Sequence, residues 1–146
     1  ITLFIIIADR FTKHFFMNML SFGESLPIIR NVLHFTLVHN TGIAFGFFKN
    51  QGIVFIIIPV VACVLLIFNM YYYRKSNEAL DSLYIFAFSL ILGGAIGNLY
   101  DRIVFGHVID FIDFRVWPVF NIADSAITVG AFIIAIKCFQ VSIKKD

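Results

Sequence analysis

The chain has 146 residues, of which 60% are hydrophobic, 17% aromatic and only 14% charged, with a mean hydropathy of +0.93. Soluble domains carry about 25% charged residues, so this composition excludes a disordered chain, a nucleic-acid binder with a basic face and almost any water-soluble globule. The net charge of +2 is too weak to name an anionic partner, whereas four membrane spans at about 20 residues each would use about 80 residues of the chain.

In chain order, Ile1–Ala8 is apolar but covers only about 12 Å of helix. It is read as the outer part of a first span, in a chain trimmed at its front. Within the first outer connection, Ser21–Gln51, the stretch Asn31–His39 (NVLHFTLVH) partly alternates apolar and polar residues. That pattern predicts a strand of a short sheet lying on the membrane surface. Gly52–Tyr73 forms the second span, kinked but not ended by Pro59. Leu83–Leu99 forms the third. In the second outer connection, Asp101–Val119, the segment Val108–Phe114 spaces Asp110 and Asp113 as on a helix and predicts a half-buried interfacial helix. Phe120–Ile143 forms the fourth span, interrupted by Asp124 near its start and Lys137 near its end. The expected fold is an all-α membrane protein of four transmembrane helices with a small extracytoplasmic β-sheet, forming one domain over residues 1–146.

Arg74, Lys75, Lys144 and Lys145 fall between spans two and three and after span four, with Lys137 close by. Short basic connections stay in the cytoplasm, so both termini are expected there and the longer connections face outward. Tyr71, Tyr72 and Tyr73 beside Arg74 fit an interfacial aromatic belt. Lys137 is expected to snorkel towards the inner interface. Cys63 and Cys138 lie in apolar runs and read as buried small hydrophobes. No Cys/His spacing suits a metal.

Ionisable groups inside a bilayer are costly unless paired or hydrated, and here they gather at the outer boundary. Asp9 and Lys13 stand at i and i+4, which by itself suits a structural ion pair. Asp101 and Arg102 close the third span, where the simple reading is Arg102 as an anchor at the headgroups with Asp101 paired to it; Asn98 lies a turn earlier. Asp113 and Arg115 read as solvated or locally paired, and His14, His34, His39 and His107 are scattered. Asn121 and Asp124 open the fourth span, where a carboxylate suits a helix N-terminus. Asp110, between Ile109 and Phe111, has no capping role to fill. Two carboxylates held close in a poorly hydrated place cannot both ionise easily, leaving an acid beside a base. Such a pair can activate water and protonate a leaving amine. Gly93 with Gly97, and Ala126 with Gly130, form small-residue faces expected to pack the third span on the fourth. Asn40-Thr41-Gly42 reads as a turn with a polar side chain near the site.

The order of these motifs resembles that of the bacterial lipoprotein signal peptidases (signal peptidase II) over essentially the whole chain. Asp9-Arg10-Phe11-Thr12-Lys13 is similar to the family's opening Asp-Gln-x-Ser/Thr-Lys, with Arg10 in place of Gln. Val38–Gly46 resembles its Asn-x-Gly-x-Ala-Phe block, and Gly93–Arg102 its Gly-Asn-Leu-x-Asp-Arg block. Val108–Phe111 and Phe120–Ser125 resemble its two aspartate motifs. The resemblance implies a four-helix inner-membrane aspartyl endopeptidase, without a cofactor or metal. It would cut prolipoproteins before a diacylglyceryl-modified cysteine, near the outer face. Carried over by motif, Asp110 and Asp124 would be the catalytic dyad, supported by Asp9, Lys13, Asn40, Gly42, Asn98, Asp101, Arg102 and Asn121. The expected partners are diacylglyceryl-prolipoproteins and membrane lipids, with no nucleic acid and a monomeric state.

Two rival classes fit less well. A transporter subunit using Asp124 as an ion or proton site would bind near the midplane and often shows repeated halves; neither feature is visible. A presenilin-type protease would carry Gly-x-Gly-Asp, which is absent.

Overall fold

The computed structural model describes residues 1–42, 54–75 and 81–143. Helix α1 spans Thr2–Met19, strands β1 and β2 span Ser25–Ile29 and Leu33–Asn40, and helix α2 spans Val54–Lys75. Helix α3 spans Ser82–Phe105, strand β3 Val108–Asp113 and helix α4 Ile122–Ile143. Helix α3 is central: α1, α2, α4 and β3 all pack against it. Among the described residues, α3 alone is long and apolar enough to cross a membrane by length and composition.

Local chemistry sets the helix ends. Asp81 caps α3 by accepting from the Leu83 N–H at 3.0 Å. Gly106, at φ +76°, ends the helix in the left-handed conformation that glycine adopts without a Cβ penalty. Asn121 and Asp124 form a reciprocal box at the start of α4. The Asp124 N–H donates to Asn121 Oδ1 at 2.9 Å, and the Asn121 N–H donates to Asp124 Oδ2 at 3.3 Å. Helix α2 continues through Pro59, as expected.

The strands form an antiparallel sheet in the order β1-β2-β3. Asn31, at φ +63°, makes the β1–β2 turn, and the expected strand within Asn31–His39 is β2. The sheet sits on the C-terminal end of α1, where Phe16 and Leu20 meet Leu37, Ile109 and Phe111. The rings of Phe16 and Phe111 stack at 4.3 Å.

Helix α1 carries Asp9 and Lys13, as expected of the opening helix, and runs to Met19. Two expectations are corrected. The segment Val108–Phe114 is not an interfacial helix: residues Val108–Asp113 form a buried strand paired with β2. Its alternation places Ile109 and Phe111 in the apolar core and turns Asp110 to the other face. The small residues also divide differently. A Cβ on Gly93 would lie 2.8 Å from Ile5 Cβ, so Gly93 faces α1, while one on Gly97 would lie 2.6 Å from Asp9 Oδ2 and 3.5 Å from Ala123 Cβ, so Gly97 sits between α1 and α4. Gly94 and Gly130 serve the α3–α4 contact: their added Cβ atoms would meet the Ala123 carbonyl oxygen at 2.3 Å and the Ala87 carbonyl oxygen at 2.7 Å, respectively.

Ile43–Gly46, Lys144 and Lys145 lie outside the described residues, as do the side chains of Arg74, Lys75, Tyr72, Tyr73 and Cys138. Cys63 is buried with a free thiol. Lys137 does not stand alone but pairs with Asp81 at the start of α3.

Candidate active site

Polar side chains converge where the sheet meets α1, α3 and α4. Asp110, on β3, is 1% exposed. Its Oδ2 accepts from Asn40 Nδ2 at 2.9 Å and its Oδ1 accepts from Asn121 Nδ2 at 2.7 Å. Both amides are held in these orientations. Asn40 Oδ1 accepts from the Gly42 N–H at 2.9 Å, where Gly42 takes φ +83°, and Asn121 Oδ1 accepts from the Asp124 N–H. The Asn40-Thr41-Gly42 turn thus aims an amide at Asp110.

Asp124, half-buried in the first turn of α4, is reached through Asn98. Asn98 Nδ2 donates to Asp124 Oδ1 at 2.7 Å, while Asn98 Oδ1 accepts from Asn121 Nδ2 at 3.0 Å. Asp110 and Asp124 are therefore joined by the two amides of Asn121 and Asn98. Burial raises the Asp110 carboxyl to about 6. The Asn40 and Asn121 amides oppose that rise, and the charge of Asp124 adds to it.

Beneath this pair lies a buried ionic cluster. Lys13 Nζ meets Asp9 Oδ2 at 2.9 Å and Asp101 Oδ2 at 2.7 Å, and donates to Asn98 Oδ1 at 3.0 Å. Asp9, Lys13 and Asp101 are all fully buried. Asp9 Oδ1 also accepts the Ala123 N–H at 3.1 Å, tying α1 to the first turn of α4. Asp101 Oδ2 accepts the Ile109 N–H at 3.2 Å, so it positions β3 as well. The Asp9–Lys13 pair expected from spacing is present. The expected Asp101–Arg102 pair is not, because Arg10 and Lys13 occupy both oxygens of Asp101. Arg102 is half-buried without an ion pair among the described residues, and its strongest electrostatic partners are Asp124, then Asp110, then Asp101.

Asp113 and Arg115 are paired locally, at 2.9 Å. Burial pushes the Asp113 carboxyl up, but donors from Thr36 and Arg115 outweigh it and hold the group below the usual range. His39 stacks on His107 at 4.0 Å, at the rim of the sheet. His14 and His34 bond to Asn18 and Ser25. Of the polar residues expected at the site, Asp9, Lys13, Asn40, Asn98, Asp101, Asp110, Asn121 and Asp124 form one connected network, with Gly42 bracing Asn40. The sequence reading missed Arg10, whose partner Asp101 lies on another helix.

The fold is similar to that of two solved bacterial membrane enzymes. One, described as a bacterial membrane enzyme solved by the in meso method at 2.3 Å, has a TM-score of 0.87 and 31% identity, covering 99% of this chain and 88% of that one. A second of the same description, at 1.9 Å, has a TM-score of 0.82 and 32% identity, covering 94% of this chain and 88% of that one. Residues 1–140 match the family model described as Signal peptidase (SPase) II. The chain belongs to that family. The lipoprotein signal peptidase of Halothermothrix orenii is 41% identical, covering 96% of this chain and 93% of the relative. That of Caldanaerobacter subterraneus subsp. tengcongensis is 46% identical, covering 92% of this chain and 90% of the relative.

Proposed function

We propose that this chain is an aspartyl endopeptidase of the bacterial cytoplasmic membrane that removes signal peptides from diacylglyceryl-prolipoproteins. The observation that carries the reading is the linked pair Asp110 and Asp124, with a buried Asp110 joined through two oriented amides to a half-exposed Asp124. Asp124 takes a proton from a water that attacks the scissile carbonyl carbon. Asp110 gives its proton to the amide nitrogen as the C–N bond breaks. Asn40, Asn98 and Asn121 hold the two carboxyls in register. Asp9, Lys13 and Asp101 fix the helices that carry them, and Arg102 supplies positive charge beside both acids.

The inverted exposure of the helices supports a four-span, single-domain reading. Phe4, Phe11 and Phe15 on α1, Val64, Leu65 and Phe68 on α2, and Phe132 and Phe139 on α4 all face outward, while Asp9, Lys13 and Asp101 are buried between the helices. A lipid-bearing substrate with an apolar signal helix would lie in the same bilayer and present its peptide bond where the sheet caps the bundle. Both termini are then cytoplasmic and the site lies near the outer face. The test is cleavage of lipidated against unlipidated precursor in reconstituted membranes. Preference for the lipidated form supports the reading; equal cutting removes the lipid-specific part.

A further inference from the structure

The cluster below the acid pair holds a second cation beside Lys13. Asp9 and Asp101 bring two buried negative charges, and Lys13 touches both while also donating to Asn98. One lysine cannot neutralise two carboxylates. Arg10 provides the second cation: its Nη2 bonds Asp101 Oδ1 and stands 3.8 Å from Asp9 Oδ2. Its guanidinium lies over the Tyr100 ring, 4.6 Å from the centroid, a stacked geometry that lysine does not reproduce. Its Nε finds no hydrogen-bond acceptor among the described residues, and the side chain is 24% exposed, so Asp101 and the ring define its place.

We propose that Arg10 is a positioning residue for the peptidase reaction. By taking Asp101 Oδ1, Arg10 leaves Lys13 free to share itself between the inner oxygens and Asn98 Oδ1. Lys13 and Asn121 together then occupy that oxygen, which turns Asn98 Nδ2 towards Asp124. Without Arg10, two carboxylates compete for Lys13, its bond to Asn98 weakens, and the amide that holds Asp124 is released. Arg10 reaches Asp124 through Asp101, Lys13 and Asn98 and acts on turnover through Asn98, not on substrate binding. This inference rests on the proposed dyad.

The test compares wild type, Arg10→Gln, Arg10→Lys, Tyr100→Leu, Asp110→Asn and Asp124→Asn in proteoliposomes with a lipidated precursor peptide, alongside thermal unfolding. Arg10→Gln is expected to lower kcat roughly tenfold with KM within about twofold. Arg10→Lys keeps the charge and recovers part of the loss, and Tyr100→Leu gives a smaller fall of the same kind. An unchanged kcat in Arg10→Gln overturns the proposal. So does equal loss in Arg10→Gln and Arg10→Lys that tracks a lowered Tm, since that pattern marks a merely structural residue. Normal turnover in either aspartate variant instead overturns the dyad reading itself.

Discussion

Acidification should separate the wild-type protein from an Asp110→Asn variant within a defined window. Burial raises the Asp110 carboxyl from 3.8 to about 6. At about 1.4 kcal/mol per pH unit, the ionised group costs the folded protein about 3 kcal/mol at neutral pH. The folded state holds this proton more tightly than the unfolded chain. The penalty is therefore absent below 3.8, grows between 3.8 and about 6, and is complete above that. Stability of the wild type relative to the variant should rise by about 3 kcal/mol as pH falls from about 7 to about 4. Asp113, held low by its donors, and His39, held low by burial and then by His107, push the other way. Both are common to the two proteins and cancel in the difference. Reversible unfolding in micelles, followed by far-ultraviolet circular dichroism at several pH values, measures that difference. A difference flat with pH would refute the buried-carboxyl argument.

Other predictions follow from single contacts. Gly94→Ala drives a Cβ against the Ala123 carbonyl oxygen at 2.3 Å, so it should cost about 3 kcal/mol of stability by separating α3 from α4, read as a lowered Tm. Asn121→Ala removes one amide that serves Asp110, Asn98 and the Ile109 carbonyl; turnover should fall at least as far as in Arg10→Gln, read in the same cleavage assay. Thr36→Val deletes the 2.7 Å bond to Asp113 and the 2.8 Å bond to Ser25 and should cost about 1 kcal/mol or more. The Asp113 part of that loss should appear above the usual carboxylate range and fade in acid, with cleavage unchanged.

The sequence was most informative where one residue type carries one physical demand. Long apolar runs disclosed the helices, and charges too costly to bury unpaired marked the residues that meet at the site. It was least informative where spacing is ambiguous. Asp110 and Asp113, three apart, match a helix turn as well as they match opposite faces of a strand, and only pairing with β2 decides between them. Strand β1 escaped notice because Pro27 interrupts it; the sheet order places β1 at an edge, where proline is tolerated. The glycines announced close helix contacts but not which helices. Gly97 meets Asp9 on α1, a choice made by the buried ion cluster rather than by the small-residue pattern. Arg10 stood out in the sequence only as a departure from a motif. Its bond to Asp101 joins residues 91 apart in the chain, beyond the reach of local pattern.

The central claim is that Asp110 and Asp124 work as one catalytic unit. Its most direct measurement is single-turnover cleavage of a diacylglyceryl-prolipoprotein by folded Asp110→Asn, Asp124→Asn and the double variant, reconstituted in the same membrane. The account predicts that each single variant loses essentially all cleavage and that the double variant is no worse, because a pair sharing one task fails when either member is removed. Cleavage at the wild-type rate by either single variant would contradict it.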